Sequence, residues 1–159
     1  MTAITSTTDG ALSVGLSRLT DMPRHHPWRA LRALPEWSVH LTDELPYGAH
    51  GWTRWEDRTI WLLSSLDQTG RRCALEHERQ HIVRGEVCGD ADEAAVEQAT
   101  ARTLIPLSDL VDALHWSRHP REVADHCWVT LDVLTCRVRN LHPSERAAVA
   151  EVLRHHLSA

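Results

Sequence analysis

The chain contains no lysine and no phenylalanine, a single tyrosine, two methionines and only four cysteines among its 159 residues. With phenylalanine missing, leucine and the seven tryptophans must supply the bulky contacts of any core. All 17 basic side chains are arginines, interspersed with 22 acidic ones, and a formal net charge of −5 provides no broad positive field to hold nucleic acid by its phosphates. The twelve histidines make that charge sensitive to mild acid, since an unperturbed imidazole titrates near about pH 6.5. No run of about 18 apolar residues occurs, and the opening MTAITSTTDGALSVGLSRLT has no basic leader ahead of an apolar stretch. Neither a membrane span nor secretion is expected. Cys73, Cys88, Cys127 and Cys136 form no close CxxC pair, which fits reduced thiols in the cytoplasm, with two disulfides as the alternative.

A chain of this length supports one hydrophobic core and is short for two. There is no internal repeat and no low-complexity tract. Residues 1–22, rich in Thr, Ser and Gly, read as a flexible leader, and residues 23–159 as a single domain. HPWRALRAL predicts a short helix that starts at Pro27, stops at Pro35 and packs on a sheet. WSVHL, GAHGWTRW and RTIWLL are short β-rich runs between turn signals, and predict a small antiparallel sheet.

From Asp67 to Arg84 the period becomes helical, with Gly85 as the stop. A second helix is expected from Ala91 to Leu104, ahead of Pro106, and a third with Ser108 as its N-cap. The remainder predicts a helix, a tight turn at residues 128–130, a helix to Asn140, and a last helix capped by Ser144. That cap is incomplete because Ala147 stands where a capping box needs glutamate or glutamine. Trp116 and Trp128 are expected in the core rather than at an interface.

The Asp67–Arg84 segment contains His77-Glu78-Arg79-Gln80-His81, an HExxH motif. Residues i and i+4 share a helix face, so both imidazoles can reach one ion, and neutral imidazole is a good zinc ligand. Glu78 lies about 100° around the helix from His77, near enough to serve a water beside the ion as general base without ligating it. Chance yields the motif in roughly one chain in sixteen of this composition, so context has to decide. The following helix supplies that context, because Glu93 and Glu97 lie four apart on one face. Glu93 is the favoured third ligand and Glu97 the supporter of a ligating histidine, with the reverse order open. Asp90, assigned to the loop, and Asp92, at the helix start, also come near.

Two rival readings use the same residues. Cys73, His77 and His81 form a stripe that Cys88 can complete as a closed structural zinc site, although Cys73 is about two turns from His81. Alternatively, residues 119–141 are a helix-turn-helix with Arg137 and Arg139 on its second helix, in a DNA-binding or partner-binding regulator whose metal site is not catalytic.

HExxH, the ExxxE helix after it and the proline-stopped ARTLIPLSDL together resemble the ImmA/IrrE family of zinc metallopeptidases. Glu93, Ala95, Ala99, Ala101, Leu104 and Pro106 match the family's second helix, and EVADHCWVTLDVLTCRVRNL resembles its C-terminal segment, with Val129, Thr130 and Arg137 in register. The likeness runs from about Trp28 to Leu141. Arg79 replaces a commonly apolar residue, with its charge expected to face solvent, and Thr103 and Ile105 vary the leucine-rich ending.

The resemblance implies a zinc endopeptidase that cleaves or relieves a helix-turn-helix transcriptional repressor in a phage, mobile-element or stress-response circuit. Its register supports His77, His81 and Glu93 as zinc ligands, with Glu78 as the catalytic base. Direct nucleic-acid binding and a membrane partner are not expected. An oxyanion donor is needed, and Tyr47, His50 and His115 are the candidates. The expected fold is α+β, a small antiparallel sheet packed against a helical zincin-like core with a C-terminal helical segment.

Overall fold

In a computed structural model of the chain, residues 24–85 and 89–155 are described. The expected leader over residues 1–22 and the loop cysteine Cys88 lie outside them.

The fold is α+β. Strands β1 (Ser38–Thr42), β2 (Gly51–Arg54) and β3 (Thr59–Leu63) form one sheet in the order β1-β3-β2. β2 and β3 make the expected hairpin, turning through Arg58 in the left-handed region at φ 52°. β1, however, pairs with β3 in parallel, Ser38 opposite Thr59 through Thr42 opposite Leu63. The sheet is thus mixed, and the expectation of an antiparallel sheet is corrected. β1 and β2 do run in opposite senses, but residues 43–50, with a 3-10 turn at Pro46–Gly48, step across so that β3 fills the place between them. Turn residues mark a reversal; they do not say which strand becomes the neighbour.

Seven helices accompany the sheet among the described residues. α1 (Pro27–Leu31) is shorter than its sequence pattern and lies against α2 (Gln68–Arg84), with Leu31 reaching the core between α2 and the sheet. Leu31 and Leu34 cover a core of Trp37, Ile60, Leu62, Ala74 and Leu75 between the sheet and α2. α3 (Asp90–Leu104), α4 (Leu107–Trp116), α5 (Pro120–Cys127), α6 (Leu131–Arg139) and α7 (Pro143–His155) build the other half. Their core includes Leu104, Ile105, Leu110, Val123, Cys127, Val129 and Leu134, and takes in Cys73 from α2. α2 therefore has one hydrophobic cluster on each side.

Several local expectations shift for identifiable reasons. α4 begins one residue before Ser108, directly after Pro106, and Ser108 makes no cap. Asp90 opens α3 instead of closing the loop. At α7 the cap is His142 rather than Ser144. The His142 Nδ1 accepts from the Ser144 N–H at 3.3 Å, and Glu145 Oε2 accepts from the His142 N–H at 2.9 Å, which completes a reciprocal cap two residues earlier than Ser144 suggested. Trp116 is 64% exposed and stacks on His126, while Trp128, half-exposed and left-handed at φ 55°, lies over the Arg72 guanidinium. Neither tryptophan is a core residue. Each sets a ring against a cation or imidazole while remaining partly open to solvent.

Arg137 is the most consequential departure. Only 2% exposed, it donates from Nε to the Ile105 carbonyl at 2.9 Å and forms a two-pronged pair with Glu145 at 2.9 and 2.6 Å. A buried, fully engaged guanidinium cannot read a nucleic acid, so of the two arginines nominated for a recognition helix only Arg139 is on the surface. No helix among the described residues is long and apolar enough to cross a membrane.

The Arg137 bonds, followed by the His142 N–H, pull the Glu145 carboxyl from its ordinary 4.5 down to about 2. A depressed carboxyl contributes stability that is complete above its unfolded value and is lost as pH falls through the folded one. Glu145→Gln is expected to cost about 1–2 kcal/mol at neutral pH, modest because the pair reaches the surface. In urea unfolding, the gap between wild type and variant should shrink between pH 4.5 and about 2 and close below that.

Candidate metal centre

α2 begins where the Asp67 side chain accepts the Gly70 N–H at 2.7 Å and ends at Gly85, whose φ of 92° suits glycine. Its sequence shows no strong apolar face, because it is enclosed on several sides and each buried polar residue has a dedicated partner. On the side turned toward the N-terminal segment, Glu76 accepts from Arg79 at 2.9 and 2.6 Å and from Gln80 at 2.6 Å, and pairs with His25 Nε2 at 2.8 Å. Burial works to raise the Glu76 pKa, but the bonds from Arg79, His25 and Gln80 prevail and hold it below the usual carboxylate value. Arg79 does not turn its charge to solvent as its helical angle suggested. It folds back three residues onto a carboxylate that otherwise has no access to water.

His77 and His81, one turn apart, face the opposite way, with their Nε2 atoms 3.2 Å from each other. Glu93, on the first turn of α3, brings Oε1 to 3.0 Å from His77 Nε2 and Oε2 to 3.4 Å from His81 Nε2. α3 reaches this position because it starts at Gly89, whose carbonyl accepts the N–H groups of Asp92 and Glu93. These three are the group of potential metal ligands found among the described residues, each offering an atom within 4.8 Å of the others. Tetrahedral zinc with bonds of about 2.0–2.1 Å sets adjacent ligand atoms about 3.3 Å apart. The two contacts to Glu93 use different oxygens, so the three residues could hold a metal ion through one atom each, all within 4.8 Å of one another, and two imidazoles with a carboxylate are donor types that suit zinc. Burial lowers the His77 pKa against the opposing pull of Glu93, which favours the neutral imidazole that a metal requires.

Glu78 faces the sheet. It is buried, and Thr53 Oγ1 donates to its Oε2 at 2.7 Å. Burial pushes its carboxyl up to about 7, with the Thr53 bond opposing and the Glu93 charge adding to the rise. Beside it opens a cleft of about 1050 Å³, walled by His50 and the β2 residues Gly51, Trp52 and Thr53, by α2 and α3, and by Thr135, Cys136 and Arg139 on α6.

The other nominated residues separate clearly. Glu97 lies on the cleft wall beside Cys136, but among the described residues no hydrogen bond joins it to either histidine, so it does not take the supporting place expected of it. Cys73 is buried in the helical core, its thiol pKa raised by burial, and stands outside the three-residue group. The closed Cys2His2 arrangement thus loses its first ligand. Of the three oxyanion candidates, His50 is on the cleft wall, whereas Tyr47 is 97% exposed in the 3-10 turn and His115 sits on α4, its Nδ1 against the Val111 carbonyl. Gly51 and Thr53, which touch Glu78, escaped the motif. Their one sequence signal is a glycine inside a strand, a mark of close approach by another group.

Comparison with family models, with curated proteins and with solved structures finds no match to this chain.

If Glu93 rather than Glu97 is the third donor, Glu93→Gln should weaken zinc binding by more than the about 10- to 100-fold that loss of an outer partner costs. Glu97→Gln should retain one zinc per chain. Metal content after dialysis against a competing chelator separates the two.

Proposed function

We propose that the chain is a zinc metallo-endopeptidase with a zincin-like core. The observation that carries this reading is the convergence of His77, His81 and Glu93 at 3.0–3.4 Å, with the Glu78 carboxylate held alongside in the wall of an open cleft. When bound, zinc supplies Lewis acidity, lowering the pKa of a water and polarising a carbonyl. His77 and His81 act as neutral nitrogen donors and Glu93 as the anionic one. Glu78 accepts a proton from the attacking water as its oxygen joins the scissile carbonyl carbon. The same carboxyl returns that proton to the leaving nitrogen as the C–N bond breaks. Burial gives Glu78 a basicity in the range that proton exchange near neutral pH demands.

A polypeptide substrate is favoured by the position of β2. It is an edge strand, and the bond from the Leu63 N–H to the His50 carbonyl sets the phase of its pairing with β3. By alternation, Gly51 and Thr53 turn their main-chain N–H and C=O groups to the open edge. An extended chain can pair there as an added strand, passing the Glu78 carboxylate. From the likeness to the ImmA/IrrE family, the substrate is a helix-turn-helix transcriptional repressor of a phage, mobile-element or stress-response circuit, met in the cytoplasm.

Glu78→Gln distinguishes this activity from a regulator that merely binds metal. Wild-type protein loaded with zinc should generate new N-termini in a proteome-derived peptide library, detected by terminal labelling and mass spectrometry. The variant should keep its zinc and lose about 10²- to 10⁴-fold in rate. Zinc-loaded wild type that cuts nothing in the library, or a variant that cuts as well as wild type, defeats the proposal.

A further inference from the structure

Among the described residues, Glu78 is the one buried carboxylate whose contacts run to the sheet rather than to its own helix. Both of its oxygens meet β2, at two positions that alternate onto the same strand face. Oε2 accepts from Thr53 Oγ1 at 2.7 Å. At Gly51, an added Cβ would come within 2.7 Å of Oε1 and 2.8 Å of Cγ, distances that real Cβ atoms do not tolerate. Gly51 has an ordinary backbone conformation and needs no left-handed φ, so the space above it, rather than chain flexibility, is what the missing side chain provides. Trp52, between the two, points to the other face and is exposed.

We propose that Gly51 and Thr53 are positioning residues which together form a cradle for the Glu78 carboxylate, glycine giving it room and threonine fixing its rotation. The inference rests on the peptidase reading and deepens it in one respect. The residues that orient the base also present the open edge where an extended substrate would pair, so base and scissile bond are registered against the same four-residue strand. A carboxyl side chain has three rotatable bonds, and leaving them free costs orientation at the reacting centre. One hydroxyl and one absent methyl remove that freedom with no residue touching the reacting atoms.

Three variants test the cradle. Thr53→Val keeps the size and β-branching of threonine and removes the donor, Thr53→Ser keeps the donor, and Gly51→Ala fills the space while Thr53 stays. Crystals of each zinc-free protein give the Glu78 rotamer, and digestion of the proteome-derived peptide library by the zinc-loaded forms gives the rate at which new N-termini appear. We expect one zinc per chain throughout. In Thr53→Val and Gly51→Ala the carboxylate should leave its wild-type position and the rate should fall about 10- to 100-fold. Thr53→Ser should restore both position and rate to within about threefold, well under one hydrogen bond's worth. A Glu78 that stays in place in both Thr53→Val and Gly51→Ala overturns the cradle, as does a Thr53→Val rate equal to wild type. If zinc-loaded wild type cuts nothing, the peptidase reading fails separately, and the crystals alone decide whether these two residues set the carboxylate.

Discussion

The enclosure of α2 is the constraint on which the rest of the structure depends. A helix that carries Arg72, Glu76, Glu78 and Gln80 into the interior has to find a partner for each, because an unpaired buried charge costs far more than a packed apolar residue returns. The partners come from every side. His25 and Arg79 meet Glu76, Thr53 meets Glu78, and the carbonyls of Trp128 and His25 accept from Arg72. The N-terminal segment, the sheet and the α5–α6 turn are thus each tied to α2 by a polar bond as well as by apolar contact. The helix cannot rotate or slide without breaking several of these at once, and the direction of His77 and His81 is fixed as a consequence.

The two hydrophobic clusters divide the work. The sheet-side cluster holds β3 against α2, and β2, paired with β3, is carried with it as the cleft wall beside Glu78. The helical cluster, together with the Arg137–Glu145 pair and its bond to the Ile105 carbonyl, holds α6 to the end of α3. α3 packs on both α2 and α6, and its first turn carries Glu93 to the histidines. The candidate ligands therefore come from both sides of the boundary between α2 and the helical half, whereas Glu78 belongs to the boundary with the sheet. The candidate metal ligands and the candidate base are supported by different parts of the core, so a change at β2 reaches Glu78 before it reaches the histidines.

Legibility in the sequence followed the range of the interaction. The span of α2, the Gly85 stop, the β2–β3 hairpin and the pairing of His77 with His81 are set by neighbours within a turn or two, and local patterns report them. The preference for Glu93 over Glu97 came from the register of the family resemblance, and the structure sets Glu93 on the first turn of α3, beside the histidines. The α7 cap was misread by two residues because histidine at the cap and proline after it make a weaker signal than serine. Arg79 and Arg137 look like surface arginines in any helical projection, and nothing near them in the chain announces that one folds onto a buried glutamate and the other crosses to Ile105 and Glu145.

What the sequence by itself determined is the chemistry available on one helix: two imidazoles a turn apart, a carboxylate beside the first, and a further carboxylate one helix later. The tertiary structure decided which way each of them faces, that β1 lies parallel to β3, that Cys73 belongs to the core, and that Gly51 and Thr53 adjoin Glu78. The physical reason is that helix periodicity is enforced by bonds between residues four apart. Strand order, the choice of buried partner and the space left by a missing side chain depend instead on contacts between segments 25 or more residues apart, such as Thr53 with Glu78 and Arg72 with Trp128, and these exist only once the chain has closed around α2.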